Sequence, residues 1–280
     1  MTRLAVLGDI HGHWTAADAP HLDGLGYDAV LVVGDLAGLR FSGTLKVARG
    51  LGALRTPTLV MPGNHDATHP LQLLAHVAGR PTLGAPLRPV QSRRLEALHE
   101  ALGDCVVAAY SRHRVGDLTV VAARPHSMGG PDLAFRAMLS TYWGVDSFDA
   151  SAARLRELVD GVDTEDIVFL AHNGPTGLGD HATSIWGCDF RAEMGDWGDP
   201  DLAEGIAFAR RKGHRVRAVV AGHMHRRVRG GKARTWLVED EGTSYVNAAE
   251  VPRIREGRHH HVAIEIDPAR VQVEDRWAVA

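Results

Sequence analysis

Leu4-Ala5-Val6-Leu7-Gly8-Asp9-Ile10-His11-Gly12 opens the chain with an apolar run that stops at a glycine and a carboxylate. The event recurs twice: residues 29–33 run into Gly34-Asp35, and residues 58–61 run into Pro62-Gly63-Asn64-His65-Asp66. Each run is short, apolar at every position and bounded by turn residues, which is how a strand covered on both faces reads. Stretches long enough for a crossover helix, such as 42–54, lie between them. Strand–helix–strand order predicts an α/β fold, with ligands held beyond the carboxyl ends of the strands. The polar residues gather at those ends.

Further on, 71–78, 92–102, 150–159 and 202–212 read as helices. Strands are expected at 105–109, 118–122, 167–171 and 216–221, then at 235–238, 244–248, 261–266 and 271–274. Residues 174–200 are rich in Gly, Asp and Trp and read as a long ordered loop, because Ile185, Trp186 and Trp197 need somewhere to pack. With no internal repeat and no hinge-like linker, we expect a single domain over 1–280 with long loop insertions at about 67–104, 124–148 and 176–200.

The 280 residues carry 31 Lys+Arg against 34 Asp+Glu, a net charge of −3 that gives no general electrostatic case for nucleic acid or an anionic membrane. No stretch approaches the ~18 apolar residues of a membrane span, and the N-terminal apolar run is too short for a secretory signal. Cys105 and Cys188 make no CxxC pair and specify no disulfide framework. A cytoplasmic protein is the expectation. The 17 His stand against only 2 Cys, so any metal here is expected to be held by imidazole and carboxylate.

Five short clusters carry the chemistry: Gly8-Asp9-Ile10-His11-Gly12, Gly34-Asp35, Gly63-Asn64-His65-Asp66, Ala171-His172-Asn173-Gly174 and Gly222-His223-Met224-His225. Asp9 and His11 are two residues apart, as are His223 and His225, so a continuing strand would point each pair to one side. Asp9, His11, Asp35, Asn64, His172, His223 and His225 make seven oxygen and nitrogen donors, too many for one tetrahedral ion and enough for two that share a carboxylate. Two ions about 3.5–4 Å apart polarise a phosphoryl group and turn a shared water into a hydroxide nucleophile. His65 is left over, placed to protonate a leaving oxygen or to stabilise phosphoryl charge.

The order D-x-H, GD, GNHD, H, GHxH resembles the calcineurin-like metallophosphoesterases, and the likeness runs from Asp9 to His225. It implies a two-sheet sandwich flanked by helices, in four layers α/β/β/α. It places Asp9, His11, Asp35 and His225 on one divalent metal, and Asp35, Asn64, His172 and His223 on the other. His65 maps to the family's catalytic histidine. Protein phosphatases of that superfamily carry GDxVDRG, whereas here Gly34-Asp35-Leu36-Ala37-Gly38-Leu39-Arg40 puts Gly38 at the second Asp. The segment from Ala171 to Gly177 resembles a little-characterised bacterial and plant-type subgroup.

The expected activity is hydrolysis of a small phosphorylated molecule, a phosphodiester or nucleotide, with manganese the first choice of metal and iron or zinc the alternatives. A phosphomonoesterase, including a protein phosphatase, is the rival enzyme. A scaffold that kept the fold without turnover is the rival from another class. The residues leave open whether Asp66 holds His65 or its own loop, or is an ordinary turn residue. His13, His69, His126 and His181 read as surface or packing residues, and His259-His260-His261 as an edge of the apolar strand that follows. Arg226, Arg227, Arg229, Lys232 and Arg234 read as a solvated hairpin rather than a phosphate-attracting rim, and Trp143, Trp186 and Trp197 as loop anchors rather than base-stacking platforms.

Overall fold

The computed structural model describes residues 1–38 and 40–280; Leu39, within the 34–40 stretch quoted above, lies outside them. Two sheets face one another. In the first, β1 (Thr2–Leu7), β2 (Ala29–Val32), β3 (Thr58–Val60) and β4 (Val106–Val107) run parallel in that order. In the second, β5 (Ser111–Val115) lies antiparallel at one edge of β6 (Leu118–Ala122). From β6 the sheet continues in parallel through β7 (Asp166–Leu170), β8 (Arg215–Ala221) and β10 (Thr243–Asn247), and β9 (Leu237–Asp240) closes the other edge. The chain then returns to the first sheet. There β12 (Arg258–Ile266) pairs antiparallel with β1, and β11 (Ile254–Arg255) and β13 (Val271–Val279) both pair with β12.

Successive side chains divide between two faces. Leu4, Val6, Leu31, Val120, Val168 and Val220 meet between the sheets. Ala5, Leu7, Val30 and Val32 face outward, where α1 (Asp18–Gly24) and α2 (Phe41–Leu51) cover them. Beyond α3 (Pro70–Val77), α4 (Arg88–Leu102) joins the same layer. Ile167, Phe169 and Val219 pack outward from the second sheet, under α6 (Phe148–Asp160) and α7 (Pro200–Arg211). The layers are therefore helix, sheet, sheet, helix. Strands buried on both faces explain the apolar runs without alternation.

Some elements escape the apolar pattern. β5 carries Arg112, His113 and Arg114, and β11 has only two residues. α5 (Arg136–Trp143) sits in the 124–148 stretch and rests on Ala134, Phe135 and Leu73. Residues 174–200 hold one 3-10 turn, Ala192–Met194, and are pinned from beneath by fully buried Ile185 and Trp186. The three consecutive histidines lie inside β12 and are all buried. His259 bonds Asp18 at 2.8 Å, His260 bonds Asp275 at 2.6 Å and His261 bonds the Tyr27 hydroxyl at 2.8 Å. Among the described residues no helix is long and apolar enough to cross a membrane.

Candidate metal centre

The loops that leave β1, β2, β3, β7 and β8 at their carboxyl ends carry the clusters, and the parallel order of the strands brings them together. The backbone there is strained. Asp9, His11, Asp35 and His223 have φ of 37°, 45°, 51° and 63°, in the left-handed region that costs a non-glycine residue about 1–3 kcal/mol. These turns end the strands, so the two-residue spacing does not set direction. His225 joins Asp9 and His11, whereas His223 turns away to join Asp35 and His172. Two glycines let the loops close up: a Cβ on Gly63 would meet Asp35 Oδ1, and one on Gly222 would meet Asp9 Oδ1.

Two groups of donor atoms result, each within 4.8 Å of one another: Asp9, His11 and His225, and Asp35, His172 and His223. In the first, His225 Nε2 lies 3.2 Å from Asp9 Oδ2 and 3.1 Å from His11 Nε2. Asp9 Oδ2 is buried and has no hydrogen-bond partner among the described residues. Burial alone would raise Asp9, but the imidazoles of His225, His172 and His11 hold it well below the usual carboxylate range.

In the second group the ring tautomers are fixed from behind. His172 Nδ1 donates to the Val33 carbonyl at 2.6 Å, and His223 Nε2 donates to the Met128 carbonyl at 3.1 Å. The opposite ring nitrogens, His172 Nε2 and His223 Nδ1, face Asn64 Oδ1 at 2.8 and 3.0 Å. Asp35 Oδ1 stands 3.6 Å from His172 Nε2. Oxygens and neutral imidazole nitrogens gathered around one point suit a divalent cation, and backbone carbonyls behind ligand histidines orient them. Burial and the neighbouring His172 push His223 down to about 3. Against burial, Asp35 and Asp9 raise His172, and the same field raises its attraction for a cation. The residues present therefore fit a pair of divalent ions.

His65 stands beside both groups without joining either. Its backbone N–H donates to Asp35 Oδ1 at 2.9 Å, and its Nε2 lies 3.9 Å from Asp35 Oδ2 with the ring 23% exposed. Asp66 does not touch it. Asp66 is fully buried and accepts three backbone N–H groups, from Asp35 at 3.0 Å, Leu36 at 2.7 Å and Gly63 at 2.7 Å. Burial and the Asp35 charge push its carboxyl up to about 7, and the Gly63 and Leu36 N–H donors work against that rise. Asp66 is thus the tie between the Asp35 loop and the Asn64 loop.

The sequence model of the calcineurin-like phosphoesterases matches residues 2–227. The chain belongs to that family. It is a hydrolase of phosphoric esters. No curated protein matches the sequence. Solved structures share the fold at low identity. A dimetal phosphatase from Danio rerio is 10% identical over 99% of this chain and 96% of its own, with a TM-score of 0.57. The phosphopantetheinyl hydrolase of Mycobacterium tuberculosis is 15% identical over 90% of each chain, with a TM-score of 0.51.

Sequence reasoning passed over several residues that support this phosphoesterase site. His126, read as surface or packing, is buried four residues past the end of β6; its N–H bonds Pro62 O and its ring Nδ1 donates to Gly63 O, both at 2.7 Å. Burial pushes it down to about 4 and leaves its Nε2 without a partner among the described residues. Its place after a strand end, like that of the five clusters, was the signal. Trp197 Nε1 donates to Met128 O at 2.7 Å, bracing the carbonyl that orients His223. Ser127 donates to Asp199, which also takes the buried Arg124, both at 2.8 Å.

The basic hairpin is not uniformly solvated. Arg226 is buried over Trp236 and bonds Asp275 at 2.7 Å. Arg234 is buried and donates to the carbonyls of His225, Ser184 and Gly187 and to Asp189. Arg227, Arg229 and Lys232 are exposed. A groove of about 420 Å³ opens beside His223 and His225, lined by Asp189, Phe190, Met224, Arg227, Val228 and Arg229.

Proposed function

We propose that this phosphoesterase hydrolyses a small phosphodiester, nucleotide-like in kind, with two divalent ions shared through Asp35. Asp9, His11 and His225 would hold one ion with Asp35, and Asn64, His172 and His223 the other. Bound there, the ions supply Lewis-acid polarisation of the phosphoryl oxygens and activation of water. Manganese is our first choice among the manganese, iron and zinc that oxygen and imidazole donors admit alike, and the cytoplasm our expected location.

The chain's own residues do the rest. Val33 O and Met128 O hold the rings of His172 and His223 in the tautomer that turns a bare nitrogen to the site. Asp66 fixes the two loops that present Asp35 and Asn64. His65, unbonded at its ring among the described residues and partly open to solvent, is placed to give a proton to the departing ester oxygen.

The observation that favours a diester is the groove. A monoester needs no room beyond its single ester substituent, whereas a diester carries a second, and Phe190, Met224 and Val228 give that group an apolar wall. Comparing kcat/KM for bis(p-nitrophenyl) phosphate and p-nitrophenyl phosphate with the same metal tests the reading. Diester preference is expected; a clear monoester preference overturns it.

A further inference from the structure

We infer that the groove beside His225 binds a second phosphate of the substrate, remote from the scissile bond, through Arg227 and Arg229. The inference rests on the phosphodiester reading and adds to it the charge of the group on the far side.

Residues 226–234 form a short hairpin. Arg227 bridges to Ala233, Val228 N donates to Lys232 O at 3.0 Å, and Arg234 N donates to Arg226 O at 2.7 Å. Along its first arm the side chains alternate. Arg226 and Val228 are buried, while Arg227 and Arg229 are exposed and line the groove with His223 and His225. Two and four residues beyond His225, they line the groove that opens beside it.

Neither guanidinium has a carboxylate within ion-pair distance among the described residues, although the chain has paired most of its arginines. The groove holds one acid, Asp189, and its oxygens are occupied. One accepts the Arg229 backbone N–H at 2.9 Å and the other accepts Arg234 Nη2 at 3.1 Å. Asp189 therefore pins the hairpin to the 187–195 loop and leaves both exposed guanidiniums free. Two uncommitted planar forks on one arm suit a phosphate, which each can bind through paired hydrogen bonds.

Phe190, Met224 and Val228 add apolar lining to the same groove. Phe190 is 40% exposed and held edge-on by Trp197, with ring centroids 5.1 Å apart. A fixed aromatic face of this kind suits a flat ring. Metal-bound ester, apolar step and distal cations together describe a nucleoside that bears a phosphate at each end.

The test is calorimetric binding of thymidine 3′,5′-bisphosphate and thymidine 5′-monophosphate to the metal-loaded protein. The bisphosphate is expected to bind at least about tenfold tighter. In R227A/R229A the two affinities should come within about twofold, while R227K/R229K keeps part of the difference. Both side chains are exposed and tie down nothing, and an unchanged melting temperature verifies the fold. Equal affinities in the native protein, or a preference that survives in R227A/R229A, overturn the inference. The p-nitrophenyl 5′-esters of the same two nucleotides separate it from the diesterase reading. If neither ester is cleaved with any metal while the binding difference holds, the diesterase reading fails and the second-phosphate site stands.

Discussion

Replacing Asp66 by Asn keeps the size of the side chain and removes one acceptor oxygen. In the native site Oδ2 accepts from Asp35 N and Gly63 N, and Oδ1 accepts from Leu36 N. With the amide oxygen at the Oδ2 position, the new NH₂ faces the Leu36 N–H, donor against donor, in a fully buried place. Leaving that buried donor unpaired costs about 1–3 kcal/mol, counted alone because a carboxyl pushed up to about 7 is only partly charged near neutral pH. At about 2–4 °C per kcal/mol for a chain somewhat smaller than this one, melting should fall by about 2–12 °C. The same change loosens the loops that present Asp35 and Asn64, so metal affinity should fall about 10–100-fold, as when groups behind ligands are removed. Scanning calorimetry with a metal-binding titration reads both. D66N that melts within about 2 °C of the native protein and binds metal equally well would refute the role assigned to Asp66.

His65→Ala should keep its metal while turnover falls about 10²–10⁴-fold, most for an alkoxide leaving group and least for nitrophenolate; equal losses would place His65 on the phosphoryl charge instead. Trp197→Phe deletes the bond that braces Met128 O, and a metal titration should show affinity weakened by about tenfold or more. His261 is buried and pushed down to about 3, first by burial and then by the charge of its neighbour His260. The unfolded chain takes up a proton near pH 6.5 that the fold refuses, so stability is whole above that pH and is lost as pH falls toward 3. Melting temperature should therefore drop from pH 7 to pH 4, and H261Q, which can still bond Tyr27, should drop less; identical curves would remove His261 from the acid response.

The strands were legible because burial on both faces writes itself into every position, as in Leu4–Leu7 and its repeats. The gathering of the candidate donors was legible because each follows a strand end. β5 and β11 were not: β5 is mainly polar, β11 is only two residues long, and each is the first arm of a hairpin at a sheet edge. The sorting of the hairpin arginines was equally hidden. Arg226 is buried because Asp275, 49 residues on, neutralises it, and Arg234 because the 184–187 carbonyls receive it. Spacing alone could not tell them from Arg227 and Arg229. Nor could spacing place His223 and His225 in different groups, because the left-handed turn at His223 sends its ring the other way. For Asp66 the sequence left His65, its own loop or a plain turn open, and the three backbone bonds favour the loop.

The central claim is a pair of divalent ions shared through Asp35, and stoichiometric reconstitution measures it. Chelated protein is titrated with manganese while hydrolysis of bis(p-nitrophenyl) phosphate is followed and bound metal is counted in the same samples. Activity should rise to a plateau at two equivalents per chain and stay absent in chelator, with D35A binding less metal than N64A. Full activity at one equivalent, or activity that persists in chelator, would contradict the account.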